Sequence, residues 1–562
     1  ESTLNPETRR SGGMHYTSIE NIHKVIDPLF LDDLRRELDD ILEEKVEKQR
    51  QRRLGTYQDR LASLTFLDPA CGSGNFLTET FLSLRRLENE VIRERYHGQM
   101  MMGDFLSPIK VSIHQFFGIE INDFAVTVAT TALWISEAQM LAETERIIQH
   151  DIDFLPLKSY SNIKEGNALR MDWSTLEKDT KTPFVYTKKL NVFKVEDVPK
   201  EILDAPFMAS EPSLEYGKVY DELNVVTQEI ESKALPQKQV SKPVVYDYII
   251  GNPPFVGARW MSKSQKQDVL DVFGTKWKNS GNLDYVCCWY KKASDILKAN
   301  KRTKAAFVST NSICQGEQVA DLWQSLFEDG IKIGFAHRTF RWDSESSQKA
   351  HVYCVIVGFG QDDCQERECL LFDNNKVTKA SHINGYLMDA PDVFIGSRPT
   401  PLCDVPCIGI GNKPIDGGNY LFTKEEMDEF IKTEPKAARY FKPWYGSEEF
   451  IHQRPRYCLW LGDCTPAELR SMPHCLKRVE AVRNMRLESK SAGTRKLADR
   501  PTRFHVENMP VTNFIIIPRV SSEKRRFIPI GFMSPDNLAS DAVHLIPDAT
   551  LYHFGVLTSN VH

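Results

Sequence analysis

The sequence predicts an α/β protein. A doubly wound, mostly parallel sheet follows a helical N-terminal segment and precedes a mixed α+β C-terminal region. Three observations predict it. From residue 64 to about 360, apolar β-type runs alternate with amphipathic helical stretches. A glycine-rich turn, Asp68-Pro69-Ala70-Cys71-Gly72-Ser73-Gly74-Asn75-Phe76, joins the first such strand to the first such helix, the nucleotide-binding arrangement of doubly wound folds. Beyond about 375 the rhythm gives way to short β segments between turns rich in Pro, Gly, Asn and Asp, as in Ala390-Pro391-Asp392 and Asp416-Gly417-Gly418-Asn419.

Each element has its own warrant. Residues 19 to 60 carry Leu and Ile at helical spacing among Glu and Arg, so residues 1–63 form a helical segment. Strands are expected at Leu64–Leu67, Gln115–Ile121, Tyr246–Ile250, Ala305–Ser309, Lys332–Ala336 and His351–Phe359. Helices are expected at Phe76–Arg95, Phe124–Glu143, Leu283–Ala299 and Val319–Glu328. This alternation defines a domain over 64–374, interrupted at about 172–240 by a Lys/Glu-rich insertion with one helix, Leu214–Ala234. The second domain is set at 375–562, with helices at Lys424–Lys432 and Pro466–Ser489. It is expected to stop short at its C-terminus, because the chain ends just after an apolar segment.

Composition excludes several classes. Hydrophobic residues at 41% and charged residues at 26% describe a globular protein. No uninterrupted apolar run reaches the roughly 18 residues of a membrane helix, and a cytoplasmic location is expected. The twelve cysteines have no finger-like partners; Cys403 and Cys407 are the nearest pair, and no metal site is expected. The net charge of −6 is unevenly spread: residues 451–530 hold 16 Lys+Arg against 7 Asp+Glu, a balance of +9 that leaves −15 elsewhere. A basic block on an acidic body is a nucleic-acid footprint, or a solvated charged face.

The chemistry concentrates at strand ends. Asn252-Pro253-Pro254-Phe255 follows the strand that ends near Ile250. Its two prolines lack N–H groups, so their carbonyls only accept, and the Asn side chain adds an acceptor. With the Phe255 ring beside them, they suit a planar, amine-bearing guest such as the exocyclic NH2 of a base. Gly72 and Gly74 allow close backbone approach to a ligand, and the helix start after them favours a carboxylate or phosphate. Taken alone, that G-x-G reads first as a tight turn. Glu120, closing the second strand, is placed to take two ribose hydroxyls. Asn167, beyond Ile163–Gly166, is placed to read an adenine edge or serve as a turn residue.

The glycine loop together with Asn-Pro-Pro-Phe resembles the amino-methyltransferases that act on adenine N6 in DNA, in the gamma-class order: cofactor loop, catalytic motif, recognition domain. Gly13-Met14-His15-Tyr16-Thr17-Ser18 is similar to that class's N-terminal cofactor motif. The resemblance is closer to the MmeI-like type IIL (type IIG) restriction–modification enzymes. It is carried by Asn252–Gly257, Ser309–Gln318, Phe335–Asp343, Tyr445–Phe450, Pro518–Glu523 and Thr550–Ser559, and covers nearly the whole chain.

The resemblance implies a class I methyltransferase sheet and a C-terminal target-recognition domain. It implies an adenine-specific DNA methyltransferase using S-adenosylmethionine, with double-stranded DNA as partner and no metal. Asn252, Pro253, Pro254 and Phe255 would be catalytic. His15, Tyr16, Thr17, Asp68, Pro69, Ala70, Gly72, Gly74, Asn75, Phe76, Glu120 and Asn167 would hold the cofactor. Asn167 departs from the Asp of many relatives. Family members carry an N-terminal endonuclease, which is not read here, so a nuclease domain or subunit outside this sequence is an expected partner. Arg483, Arg486, Lys490, Arg495, Lys496, Arg519, Lys524, Arg525 and Arg526 are candidate DNA contacts. His337, Arg338, Arg341 and Trp342 form a cluster that lines the base pocket or DNA channel, or else builds a structural hairpin. Other planar amines (cytosine N4, an RNA base, a protein glutamine amide) and an inactive DNA-specificity module stay open as alternatives.

Overall fold

The computed structural model describes residues 17–95, 108–149, 162–176, 244–275, 279–342, 352–361, 368–374, 376–396, 403–522 and 527–559, together with 277, 398, 400–401 and 525. The expected helix Leu214–Ala234, and His15, Tyr16, Lys524 and Arg526, lie outside the described residues. The chain divides into two compact units, Glu1–Ser397 and Arg398–His562.

The first unit is built on a nine-stranded sheet in the order β3-β2-β1-β4-β5-β7-β6-β8-β9. Its strands are β1 (Phe66–Asp68), β2 (Phe116–Glu120), β3 (Ile163–Glu165), β4 (Tyr248–Gly251), β5 (Lys304–Thr310), β6 (Lys332–Trp342), β7 (Val352–Gly360), β8 (Cys369–Asp373) and β9 (Lys376–Ala380). Strands β1 to β5 are mutually parallel, and β7 runs antiparallel between β5 and β6. The hairpin of β8 and β9 carries the sheet on past residue 374, turning at Asn374 with φ +51°.

Strand periodicity explains the two-sided burial. Successive side chains point to opposite faces, and a parallel sheet is covered on both. Phe66, Phe116, Ile250, Ala306 and Val308 enter one core, while Leu67, Phe117, Ile249, Ala305 and Phe307 enter the other. The first face is covered by α1 (Ile19–Ile26), α2 (Asp32–Leu42), α3 (Glu47–Ser63), α4 (Asn75–Arg95) and α5 (Asp123–Ile148). Here Phe66 stacks on Phe116 at 5.0 Å and on Tyr248 at 5.5 Å, and Phe30 of the π-helical turn between α1 and α2 packs on both Phe66 and Tyr248. The second face is covered by α6 (Lys263–Phe273), α7 (Cys287–Ala299) and the helical stretch from Gly316 to Glu328. The N-terminal helices are thus a layer of the sheet domain.

By length and composition α5 could pass for a membrane span. Its place is the crossover between the adjacent parallel strands β2 and β3, with Ala129, Leu133 and Met140 in the core.

The second unit holds two four-stranded sheets. One is ordered β10-β17-β14-β15: Gly409–Ile410, Val543–Ile546, Phe514–Pro518, Gly531–Met533. The other is ordered β11-β13-β12-β16: Leu421–Phe422, Arg456–Leu459, Phe441–Tyr445, Leu538–Ala539. Trp444, Trp460 and Phe504 anchor the core beside the second sheet, with ring centroids 6.1 and 4.6 Å apart. The helix α8 (Pro473–Leu487) packs there through Cys475, Val479 and Val482.

A candidate functional site at the strand ends

The glycine loop follows β1 because its backbone needs conformations that only glycine adopts cheaply. Gly72 has φ +53° and Gly74 φ +83°. A Cβ on Gly74 would stand 2.9 Å from the Ala129 Cβ, so this glycine also sets how closely α5 approaches the loop. Gly72 faces open space. The Cys71 N–H donates to the Ile119 carbonyl (3.1 Å) and the Trp289 indole to the Pro69 carbonyl (3.1 Å), tying the loop to β2 and α7. Ala70 packs half-buried on one core and Phe76 is buried in the other, while Asn75 starts α4 with Ser73 near its side chain (3.4 Å). Gly74→Ala combines that close contact with a strained φ. We expect it to lower stability by about 1–3 kcal/mol, read as a lower urea midpoint; an unchanged midpoint would contradict the packing.

Two carboxylates flank this loop. Asp68 ends β1 with 1% exposure, its Oδ1 accepting from the Ala70 N–H at 3.0 Å. Burial, reinforced by the nearby Glu120, pushes its pKa up to about 8, against the opposing Ala70 hydrogen bond. Glu120 ends β2 and accepts from Gly72 N–H (2.9 Å) and Asn122 N–H (3.0 Å). It thereby locks the turn on which the glycines sit.

Asn167 has more local company than expected. Its Oδ1 accepts from the Leu169 N–H (2.9 Å) and its Nδ2 donates to Asp268 Oδ2 (3.2 Å). Asp268, on α6 and 2% exposed, also accepts from Arg170 Nε (2.7 Å) and the Tyr285 hydroxyl (3.0 Å). A carboxylate at 167 would face Asp268 directly, which gives the Asn its physical reason. Asp268 was not singled out from the sequence. Its partners are about 100 and 17 positions away, and no local pattern marks it.

Asn252 follows β4. Its Nδ2 donates to Thr17 Oγ1 (3.1 Å), while its Oδ1 is buried with no partner among the described residues. Thr17 is 4% exposed and stands just before Ser18, the N-cap of α1. Gly251 lies against Asp68, where a Cβ would fall 2.5 Å from Asp68 Oδ1. The glycine loop, Asp68, Glu120, Thr17 and Asn252 therefore gather at the C-terminal ends of β1, β2 and β4. Pro253 is buried, Pro254 half-buried, and Phe255 packs partly against both cores. Beyond them Ala258 N–H donates to Asp284 Oδ1 (3.2 Å) and Tyr285 N–H to the Val256 carbonyl (2.9 Å).

Some expected ligand contacts are structural. Arg486 is fully buried and donates to the carbonyls of Ile415, Pro414, Leu497, Arg500 and Arg503, so it is unavailable to DNA. Arg495 donates to the Ser489 and Lys490 carbonyls, and Arg519 to that of Asp541, though both stay exposed. His337 stacks on Phe372 at 4.2 Å, and burial lowers its pKa to about 4.

Parallel strands ordered β3-β2-β1-β4-β5, a β6–β7 hairpin that sets β7 antiparallel beside β5, and a glycine loop after β1 define a class I methyltransferase fold. The family model for the MmeI DNA-methyltransferase domain matches residues 42–373, and that for the MmeI target recognition domain matches 389–562. The chain belongs to the MmeI methyltransferase family. It is 35% identical to DNA methyltransferase A of Bacillus subtilis (strain 168) over 563 residues, covering 100% of this chain and 56% of that protein. It is also similar to the structure of the type IIL restriction-modification enzyme MmeI in complex with DNA. There the TM-score is 0.80 at 37% identity, covering 100% of this chain and 66% of that one. The chain thus spans 56% to 66% of the length of these relatives.

Proposed function

We propose that this chain transfers a methyl group from S-adenosylmethionine to N6 of an adenine extruded from duplex DNA, at a sequence read by the second unit. The observation that carries the reading is the buried, unpartnered Asn252 Oδ1 beside a glycine loop at the sheet's C-terminal edge. A buried acceptor left empty costs about 1–3 kcal/mol. That cost is offset when a ligand N–H arrives. The target adenine supplies two such hydrogens on N6.

The residues present suit the cofactor. Gly72 leaves open space at the loop, Asp68 offers a carboxylate to an ammonium, and Glu120 offers one to a ribose diol. Thr17 and Asn167 complete the set, with His15 and Tyr16 proposed from sequence alone. Bound there, S-adenosylmethionine supplies an electrophilic methyl carried on a sulfonium. Asn252 Oδ1 and the Pro253 carbonyl accept the N6 hydrogens and aim the nitrogen lone pair; as the N6–methyl bond forms, the methyl–sulfur bond would break to leave a neutral thioether, and one N6 proton would pass to solvent. Thr17 fixes the Asn252 amide so that Oδ1, not Nδ2, faces the acceptor. Phe255 stacks on the extruded base, recovering about 1–3 kcal/mol of the flipping cost. Catalysis is then positioning and electrostatics. Exposed Arg483, Lys490 and Lys496 are proposed to meet phosphates. The similarity to MmeI, solved with DNA, supports a place in restriction–modification, with nuclease activity supplied from outside this stretch.

Asp68 sets a pH dependence. Its pKa near 8 means that the cofactor-free protein holds a proton there at pH 7. An adjacent ammonium favours the ionised carboxylate, so binding expels that proton and affinity rises with pH up to about 8. Calorimetry is expected to find binding about tenfold weaker at pH 6.5 than at pH 8, and Asp68→Asn to flatten that slope. Folding stability of the cofactor-free protein runs the opposite way: the raised pKa favours that fold below pH 4, and the contribution is lost as pH rises through 8.

The reading is tested by expressing the chain in a host without adenine methylation and digesting its DNA to nucleosides. N6-methyladenine confined to one short sequence supports it. Unmodified DNA, or methylated cytosine instead, contradicts it.

A further inference from the structure

We propose that Trp260 enters the duplex beside the extruded base and stacks on the bases flanking the vacated position, with Arg259 meeting an adjacent phosphate. The assignment rests on the reading that Asn252–Phe255 receives a flipped base.

Trp260 is 87% exposed, whereas every other tryptophan whose side chain is described is buried or half-buried. It sits five residues beyond Phe255, within about 17 Å by chain reach. Its segment is not loose. Val256 and Ala258 are pinned to Tyr285 and Asp284, and Asp284 Oδ2 in turn accepts from the Ser312 hydroxyl. Trp260 N–H closes a tight turn onto the Gly257 carbonyl (2.8 Å). Immediately afterwards Met261 is buried, and Ser262 caps α6 in a capping box with Gln265. Two exposed residues, Arg259 and Trp260, therefore stand at the tip of a turn fixed on both sides.

An indole held out in water gains nothing from folding. A rigid support and a neighbouring cation suit it to a ligand that offers flat faces and negative charge together. Duplex DNA beside an extruded base offers both. Removing a base from the stack leaves its neighbours unstacked, and apolar or aromatic side chains commonly fill such gaps.

The test uses the whole chain and two duplexes carrying its mapped site, one fully matched and one abasic opposite the target adenine. In the second, extrusion no longer breaks a base pair. Trp260→Ala is expected to slow single-turnover transfer on the matched duplex about 10- to 100-fold, and to come within about threefold of wild type on the abasic one. Trp260→Phe should fall between, and cofactor affinity should stay unchanged. A wild-type rate on the matched duplex overturns the assignment, as does an equal loss on both duplexes or a parallel loss of cofactor affinity. A wild-type protein that methylates neither duplex contradicts the methyltransferase reading itself, and the role of Trp260 falls with it.

Discussion

Asn252→Ala is expected to slow methyl transfer by about 10²- to 10³-fold while leaving cofactor and DNA affinity within a few-fold of wild type. The size follows from what the side chain does. Among the described residues the Asn252 side chain makes one hydrogen bond, through Nδ2 to Thr17, and keeps Oδ1 buried and empty. Truncation removes an acceptor the fold does not use, so folding loses little. The incoming amine loses the group that orients it. Thr17→Val is the companion variant. It keeps the acceptor but frees the amide to turn, and a loss of about tenfold is expected from one weakened positioning contact. Single-turnover transfer and a gel-shift on the same DNA separate the outcomes. Wild-type turnover in Asn252→Ala, or loss of DNA binding in step with turnover, would make the motif structural.

Arg486→Leu is expected to destabilise the second unit by at least about 3–5 kcal/mol, a large share of the roughly 5–15 kcal/mol that holds a domain folded. The guanidinium is fully buried, and its donors satisfy five backbone carbonyls drawn from residues 414–415, 497, 500 and 503. Burial works against the charged form, so its pKa sits below the usual Arg range; the nearby Tyr420 and Asp416 oppose that. Removing the side chain leaves those carbonyls unpaired in the interior. Lysine offers one point charge in place of a planar fork, so Arg486→Lys should rescue little. Thermal unfolding followed by limited proteolysis checks this. A stable variant with weakened DNA binding would return Arg486 to the DNA surface.

Arg486 also marks how far the sequence could be read. The excess of basic residues in 451–530 is real, but charge counting cannot tell an arginine that knits loops together from one that faces solvent. Local patterns fared better where they had a period. The apolar strands and flanking helices of the first unit were legible because alternate residues feed two cores and helical stripes cover them. The helix Lys263–Phe273 was not: its apolar residues are few, and a capping box at Ser262 and Gln265 was its main signal. The strands Cys369–Asp373 and Lys376–Ala380 straddle the change of texture near 375, which hid their place in the first sheet.

The candidate site divides the same way. Strand-end positions of Asp68, Glu120 and Asn252 followed from the alternation of β and α units. The Asn167–Asp268–Tyr285 network and the Thr17–Asn252 contact did not, because each joins residues far apart in the chain.

The most direct measurement is transfer of labelled methyl from S-adenosylmethionine to mixed-sequence duplex DNA by the wild-type chain and by Asn252→Ala, with digestion to nucleosides. Label in N6-methyladenine from the wild type, and its near absence from the variant, is the predicted result. No labelled nucleoside from a wild type that binds the cofactor, or equal label from both proteins, would contradict it.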